Sequence, residues 1–84
     1  MGSQLDKAKD RLKSEPSDYT FTEAQSLLSR LGFTECSKGR TSGSRIMFVR
    51  DGVKICLHKP HPGNVMKGYA VSQLKDQLVL LGDL

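Results

Sequence analysis

Arg45, Lys54 and His58 are the residues of this chain best suited to chemistry. An imidazole ordinarily titrates near neutrality and can take up or release a proton at working pH. A guanidinium cannot act as a base, but its planar fork binds two oxygens of a phosphate, and a lysine adds a compact point charge. A proton carrier flanked by fixed cations suits a phosphate-bearing substrate. The grouping has meaning only if the three side chains share a surface.

The segment that must bring them together is Gly43 to His58, which reads as two apolar-rich runs joined by Asp51-Gly52. Asp-Gly between such runs is a strong hairpin signal, because a two-residue type I′ turn needs positive φ at both positions. Counting outward from that turn pairs Arg50 with Val53, Val49 with Lys54, Phe48 with Ile55, Met47 with Cys56, Ile46 with Leu57 and Arg45 with His58. Directly opposed residues share a sheet face. Ile46, Phe48, Val53, Ile55 and Leu57 therefore form an apolar face, and Arg45, Lys54 and His58 stand on the other, with Cys56 beside Met47.

At 84 residues and a net charge of +4, the chain is one small basic domain with room for a single modest core. The charge is unevenly placed. Residues 1–31 hold five basic and five acidic groups, whereas residues 36–68 hold Lys38, Arg40, Arg45, Arg50, Lys54, Lys59 and Lys67 against Asp51 alone. Such a cluster suits a polyphosphate, or an acidic protein that imitates one. Cys36 and Cys56 form neither a metal pattern nor a disulfide framework, and no motif points to a nucleotide or metal cofactor. There is no signal-peptide or membrane-spanning pattern, so a reduced cytoplasm is expected.

The rest of the chain supplies the support. Residues 1–18 read as a tail and a short helix, with Leu5, Ala8 and Leu12 at helical spacing before Pro16. A domain over 19–84 follows. Thr20 and Glu23 form a capping box for a second helix starting near Phe21, with Phe21, Ala24, Leu27, Leu28 and Leu31 on its buried side and Gly32 at its stop. Phe33–Lys38 reads as a strand, and Ser37–Gly43 is a polar, glycine-containing loop. After the hairpin, Lys59–Asn64 is a proline-stiffened loop. Gly68 leads into a last helix with Val71, Leu74, Leu78 and Leu81 at helical spacing, ending at Gly82. The order is α-α-β-β-β-α, an α+β fold with the helices on one face of a three-stranded antiparallel sheet. The aromatics, Tyr69 included, fall mostly at capping or core positions, so no base-stacking platform is expected.

From about Tyr19 to Gly82 the chain resembles the HicA family of small toxins in bacterial toxin–antitoxin systems. The resemblance rests on an ordered set: Leu31-Gly32-Phe33 at a helix end, a lysine-glycine loop into Gly43-Ser44, the hairpin, Pro60 to Gly63, Lys67-Gly68 and a closing amphipathic helix. A branch with Gly-Ser-Arg and a segment like Leu57 to Gly63 is the nearer likeness. The resemblance implies a fold like a double-stranded-RNA-binding domain, ribosome-independent cleavage of mRNA, and a HicB-like antitoxin that covers the basic sheet face. It also implies a catalytic histidine directly after Gly-Ser, where this chain carries Arg45.

RNA is cleaved without a metal when a base activates the 2′-hydroxyl, an acid protonates the leaving oxygen and cations stabilise the phosphorane. In that scheme Arg45 is an electrostatic clamp, His58 the first candidate for proton transfer and His61 the second. Lys38, Arg40, Ser44, Lys54, Lys59 and Lys67 are candidate RNA contacts, with Arg45 and Lys54 expected at the scissile phosphate. The leading expectation is a metal-independent mRNA endonuclease. A noncatalytic module that binds RNA or antitoxin is the alternative, since Arg45 replaces the expected histidine, and a domain that meets only an acidic protein is the third.

Overall fold

The computed structural model describes residues 4–36, 45–60 and 63–84. Helices α1 (Gln4–Lys13) and α2 (Phe21–Arg30) precede strands β1 (Thr34–Cys36), β2 (Arg45–Arg50) and β3 (Val53–His58), and α3 (Gly68–Leu80) closes the chain. The observed order is the expected α-α-β-β-β-α. Ser37, Lys38 and the rest of the anticipated loop through Gly43 lie outside the described residues, as do His61 and Pro62 of the proline-stiffened loop.

The three strands form one antiparallel sheet in the order β1-β2-β3. Asp51 and Gly52 take positive φ, 50° and 82°, as the type I′ turn requires. All six β2–β3 pairs expected from that turn are present, from Arg50 with Val53 out to Arg45 with His58. Phe48, Ile55 and Leu57 are buried beneath the helices. They meet Leu12 of α1, Phe21, Ala24, Leu27 and Leu28 of α2, and Val71, Leu74 and Leu78 of α3 in one core.

Each end of α2 is locally determined. The Thr20 hydroxyl accepts from the Glu23 amide at 3.2 Å, and the Glu23 carboxylate accepts from the Thr20 amide at 2.9 Å. At the other end Gly32, at φ 97°, allows the Phe33 amide to donate to Leu28 and the Gly32 amide to donate to Ser29. α3 ends the same way around Gly82, at φ 83°, with the Asp83 amide donating to Leu78.

Arg50 ties these two helix ends together. Its guanidinium donates to the Leu31 carbonyl at 2.9 Å and to both carboxylate oxygens of Asp83 at 3.0 and 2.7 Å, while lying 4.5 Å from the centre of the Phe33 ring. A cation at the C-terminal ends of two helices also opposes their dipoles favourably. Arg50 was counted above in the basic cluster around the hairpin. The register places it on the Phe48 face, and its charge is used inside the domain.

α1 is held more firmly than its thin stripe suggests. Leu12 is fully buried, Arg11 pairs with Glu23 and Asp18, and Lys75 of α3 pairs with Glu15 at 2.6 Å. A bridge between Thr20 and Val65 adds a contact that no local pattern announces. There the Phe21 amide donates to Asn64 at 2.8 Å and the Met66 amide to Tyr19 at 2.7 Å, so the segment leaving β3 is fastened to the start of α2.

Candidate functional site

The sheet face away from the core carries Thr34 and Cys36 from β1, Arg45, Met47 and Val49 from β2, and Lys54, Cys56 and His58 from β3. Among the described residues no helix covers it. The turn bond runs from the Arg50 carbonyl to the Val53 amide, so Arg50–Val53 is a hydrogen-bonded pair. Alternation along the ladder then makes Arg45–His58 a non-hydrogen-bonded pair, the kind in which Cα atoms approach to about 4.5 Å and side chains lie closest. Arg45 and His58 are both exposed. The structure thus sets Arg45 directly across the strands from His58, as the count from the turn predicts.

Lys54 stands at the other end of the same face, opposite Val49. Four residues of strand separate it from His58, about 14 Å. It does not share a centre with the Arg45–His58 pair, and a phosphate that it meets is a different one along the same track. Between the two ends runs an uncharged row, Cys36 beside Met47 beside Cys56. Both cysteines are free, and Cys56 is exposed rather than covered. Two strand spacings put their backbones roughly 9.6 Å apart, beyond the reach of a disulfide.

At the far end of β3, His58, Lys59 and Lys67 meet around one hollow whose other walls are Pro60, Met66, Tyr69 and Ala70. Two candidate cations therefore gather at the imidazole. Tyr69 is 65% exposed there, and not at the capping or core position expected of it. The signal was available: Tyr69 precedes Val71 by two residues, which turns it well off the buried stripe of α3. An exposed aromatic at a cationic hollow offers a surface on which a base can stack.

Lys38, Arg40, Ser44 and His61 lie outside the described residues. Among the described residues, no group of three or more His, Cys, Asp or Glu side chains is gathered in one place, and no helix is long and apolar enough to cross a membrane.

Comparison with known proteins gives a family match that covers most of the chain. The sequence model of the HicA toxin of bacterial toxin–antitoxin systems matches residues 21–80, from the first residue of α2 to the last of α3. No curated protein and no solved structure matches. The matched span contains the whole sheet, the open face and the Arg45–His58 pair, and the chain belongs to the HicA toxin family, whose members pair with an antitoxin.

Proposed function

We propose that this toxin cleaves mRNA at the Arg45–His58 end of the open sheet face. The observation that carries the reading is the cross-strand pairing of those two residues on a surface that the core does not use. In the proposed step His58 accepts the proton of a 2′-hydroxyl, and the 2′-oxygen attacks the adjacent phosphorus. The 5′-oxygen leaves with a proton from water, which yields a 2′,3′-cyclic phosphate and a 5′-hydroxyl. Arg45 holds two nonbridging oxygens as their charge grows, which is where a fixed cation contributes most. Lys59 and Lys67 neutralise neighbouring phosphates, Tyr69 stacks on a base at the hollow, and Lys54 meets the backbone further along. His61, Lys38, Arg40 and Ser44 remain as further contacts to be tested by substitution.

The α2-β1-β2-β3-α3 order supports a fold like a double-stranded-RNA-binding domain, which reads backbone and shape more than sequence. A HicB-like antitoxin that covers the same face silences the toxin by occupying it. One observation favours a second reading, RNA binding without cleavage: Arg45, which cannot act as a base, stands where the resemblance expects a histidine.

The deciding experiment compares cleavage of a defined RNA by the wild type and by His58→Ala. Removal of a positioned acid–base group lowers the rate by about 10²- to 10⁴-fold. His58 is exposed, so the variant is expected to keep its fold, and circular dichroism checks this. Unchanged cleavage removes His58 from the mechanism. RNA binding with no cleavage by either protein establishes the second reading.

A further inference from the structure

We infer that the free edge of β3 is a docking site for an extended segment of a protein partner, one that adds a fourth strand and alternates acidic with apolar side chains. β3 ends the sheet on one side, since the strand order is β1-β2-β3. The ladder alternation that makes Arg45–His58 a non-hydrogen-bonded pair also turns the amides and carbonyls of Lys54, Cys56 and His58 outward, to that edge. Their side chains are all exposed. No proline, bulge or inward-pointing charge blunts this edge between Val53 and His58.

The edge is the floor of a groove. α3 forms the facing wall with Tyr69, Gln73, Gln77 and Leu80, and shared lining residues join the hollow at His58 to the one beside Val53. This wall is uncharged, with Leu80 86% exposed and Tyr69 65% exposed at its two ends. Among the described residues no acidic side chain lines the groove, and its rim carries Lys54, Lys59 and Lys67.

The chemistry selects among occupants. An unpaired strand edge presents donors and acceptors in alternation, and a peptide backbone returns both in register, as strand addition requires. A nucleic acid backbone offers mainly acceptors and leaves the β3 carbonyls unanswered. A second copy paired antiparallel about Cys56 sets Lys54 against His58 of the same edge, which gives the lysine no carboxylate partner. A partner strand avoids both problems. Residues opposite Lys54 and His58 lie on the open face and are acidic, and the residues between them point into the groove against Gln73, Gln77 and Leu80 and are apolar. Such a strand also covers the hollow at His58. The inference of docking is independent of cleavage; that docking blocks substrate rests on the function proposed above.

The test uses the full chain, labelled with ¹⁵N, and the blocked peptide acetyl-Thr-Glu-Val-Ser-Leu-Glu-Thr-amide, titrated to about 1 mM. Its glutamates and serine share one face, and its valine and leucine the other. The expected result is saturable movement of the Lys54, Cys56 and His58 amide signals with slowed exchange of their protons. N-methylation of the serine amide removes one main-chain bond and weakens binding roughly fivefold. Gln77→Glu, an exposed change on α3, weakens it through charge alone. Absence of shifts at those amides overturns the inference, as does equal binding of the N-methylated peptide. Movement of the same amides with a single-stranded RNA and not with the peptide reassigns the edge to nucleic acid. All these readouts are independent of RNA cleavage, so an inactive enzyme leaves them interpretable.

Discussion

Gly52 offers a direct test of the turn from which the whole site is laid out. Its φ is 82°, and a Cβ built on it meets nothing within 4 Å, so Gly52→Ala adds backbone strain without a clash. Holding an L-residue in the left-handed region costs about 1–2 kcal/mol. Against this, alanine restricts the unfolded chain and offsets about 0.4–1 kcal/mol. The net loss is about 1 kcal/mol. With an unfolding entropy of about 2.1 cal/mol/K per residue, a chain of this length loses about 6 °C in Tm. D-alanine prefers positive φ and also restricts the unfolded chain, so the same methyl group in the opposite hand raises Tm instead. Both proteins are accessible by chemical synthesis and ligation, and calorimetry reads the shift. Cross-strand Hα–Hα contacts between Arg45 and His58 report whether the register persists. Equal destabilisation by the two enantiomers would refute the conformational argument, because inversion at Cα reverses the preference in φ.

The titration behaviour of two groups gives further outcomes. Burial pushes the Tyr19 phenol up to about 12, with Glu23 adding to the shift and Arg11 opposing it. Because the folded value lies above the unfolded one, this contribution is complete below about pH 10 and is lost as pH rises toward 12, about 3 kcal/mol in all. Tyr19→Phe is expected to show a shallower alkaline fall in Tm than the wild type, and parallel curves contradict this. The Glu23 carboxyl is held below its usual range, first by its hydrogen bond with Arg11, against the cost of desolvation, and then by the Thr20 amide and hydroxyl. The stabilisation is therefore present above the unfolded carboxyl value, near pH 4.3, and lost as pH falls through the lower folded value. Glu23→Gln should lower Tm at pH 7, and the difference from wild type should shrink on acidification; a constant difference argues that packing, not charge, holds the pair.

The parts of the fold that were legible in the sequence are those set by neighbours in the chain. Asp51-Gly52 determined the register because pairing counts outward from a two-residue turn, and that one inference placed Arg45 opposite His58. Thr20, Glu23 and Gly32 bounded α2 through hydrogen bonds that span only a few residues. What escaped depends on distant segments. The Thr20–Val65 bridge joins residues 45 positions apart, and nothing near either residue signals it. Arg50 was read by its charge, although the period-two pattern already placed it on the inner face; the partner that makes this tolerable, Asp83, comes from the far end of the chain. Tyr69 was read by its type, although its offset from Val71, Leu74 and Leu78 marked it as exposed.

The division of labour in the sheet follows from size. A chain of 84 residues supports one core, and all three helices are spent on one face of the sheet to close it. The other face is then free of packing constraints, and its residues can be selected for what they bind. Its pattern is not a uniform field of cations. Arg45 and His58 stand at one end, Lys54 at the other beside Val49, and Cys36, Met47 and Cys56 lie between them. Separated charges on a flat uncharged strip bind an extended anionic partner at spaced points, and such binding weakens with added salt in proportion to the contacts made. An RNA backbone and an acidic strand both satisfy that requirement. A face with this layout cannot exclude one in favour of the other by charge, so discrimination falls to the groove beside it, where the outward amides and carbonyls of β3 accept a peptide and not a nucleotide. If the edge inference holds, a partner strand is recognised by main-chain bonds that RNA does not make, and substitutions at Gln77, which is assigned no RNA contact, separate partner release from loss of RNA binding.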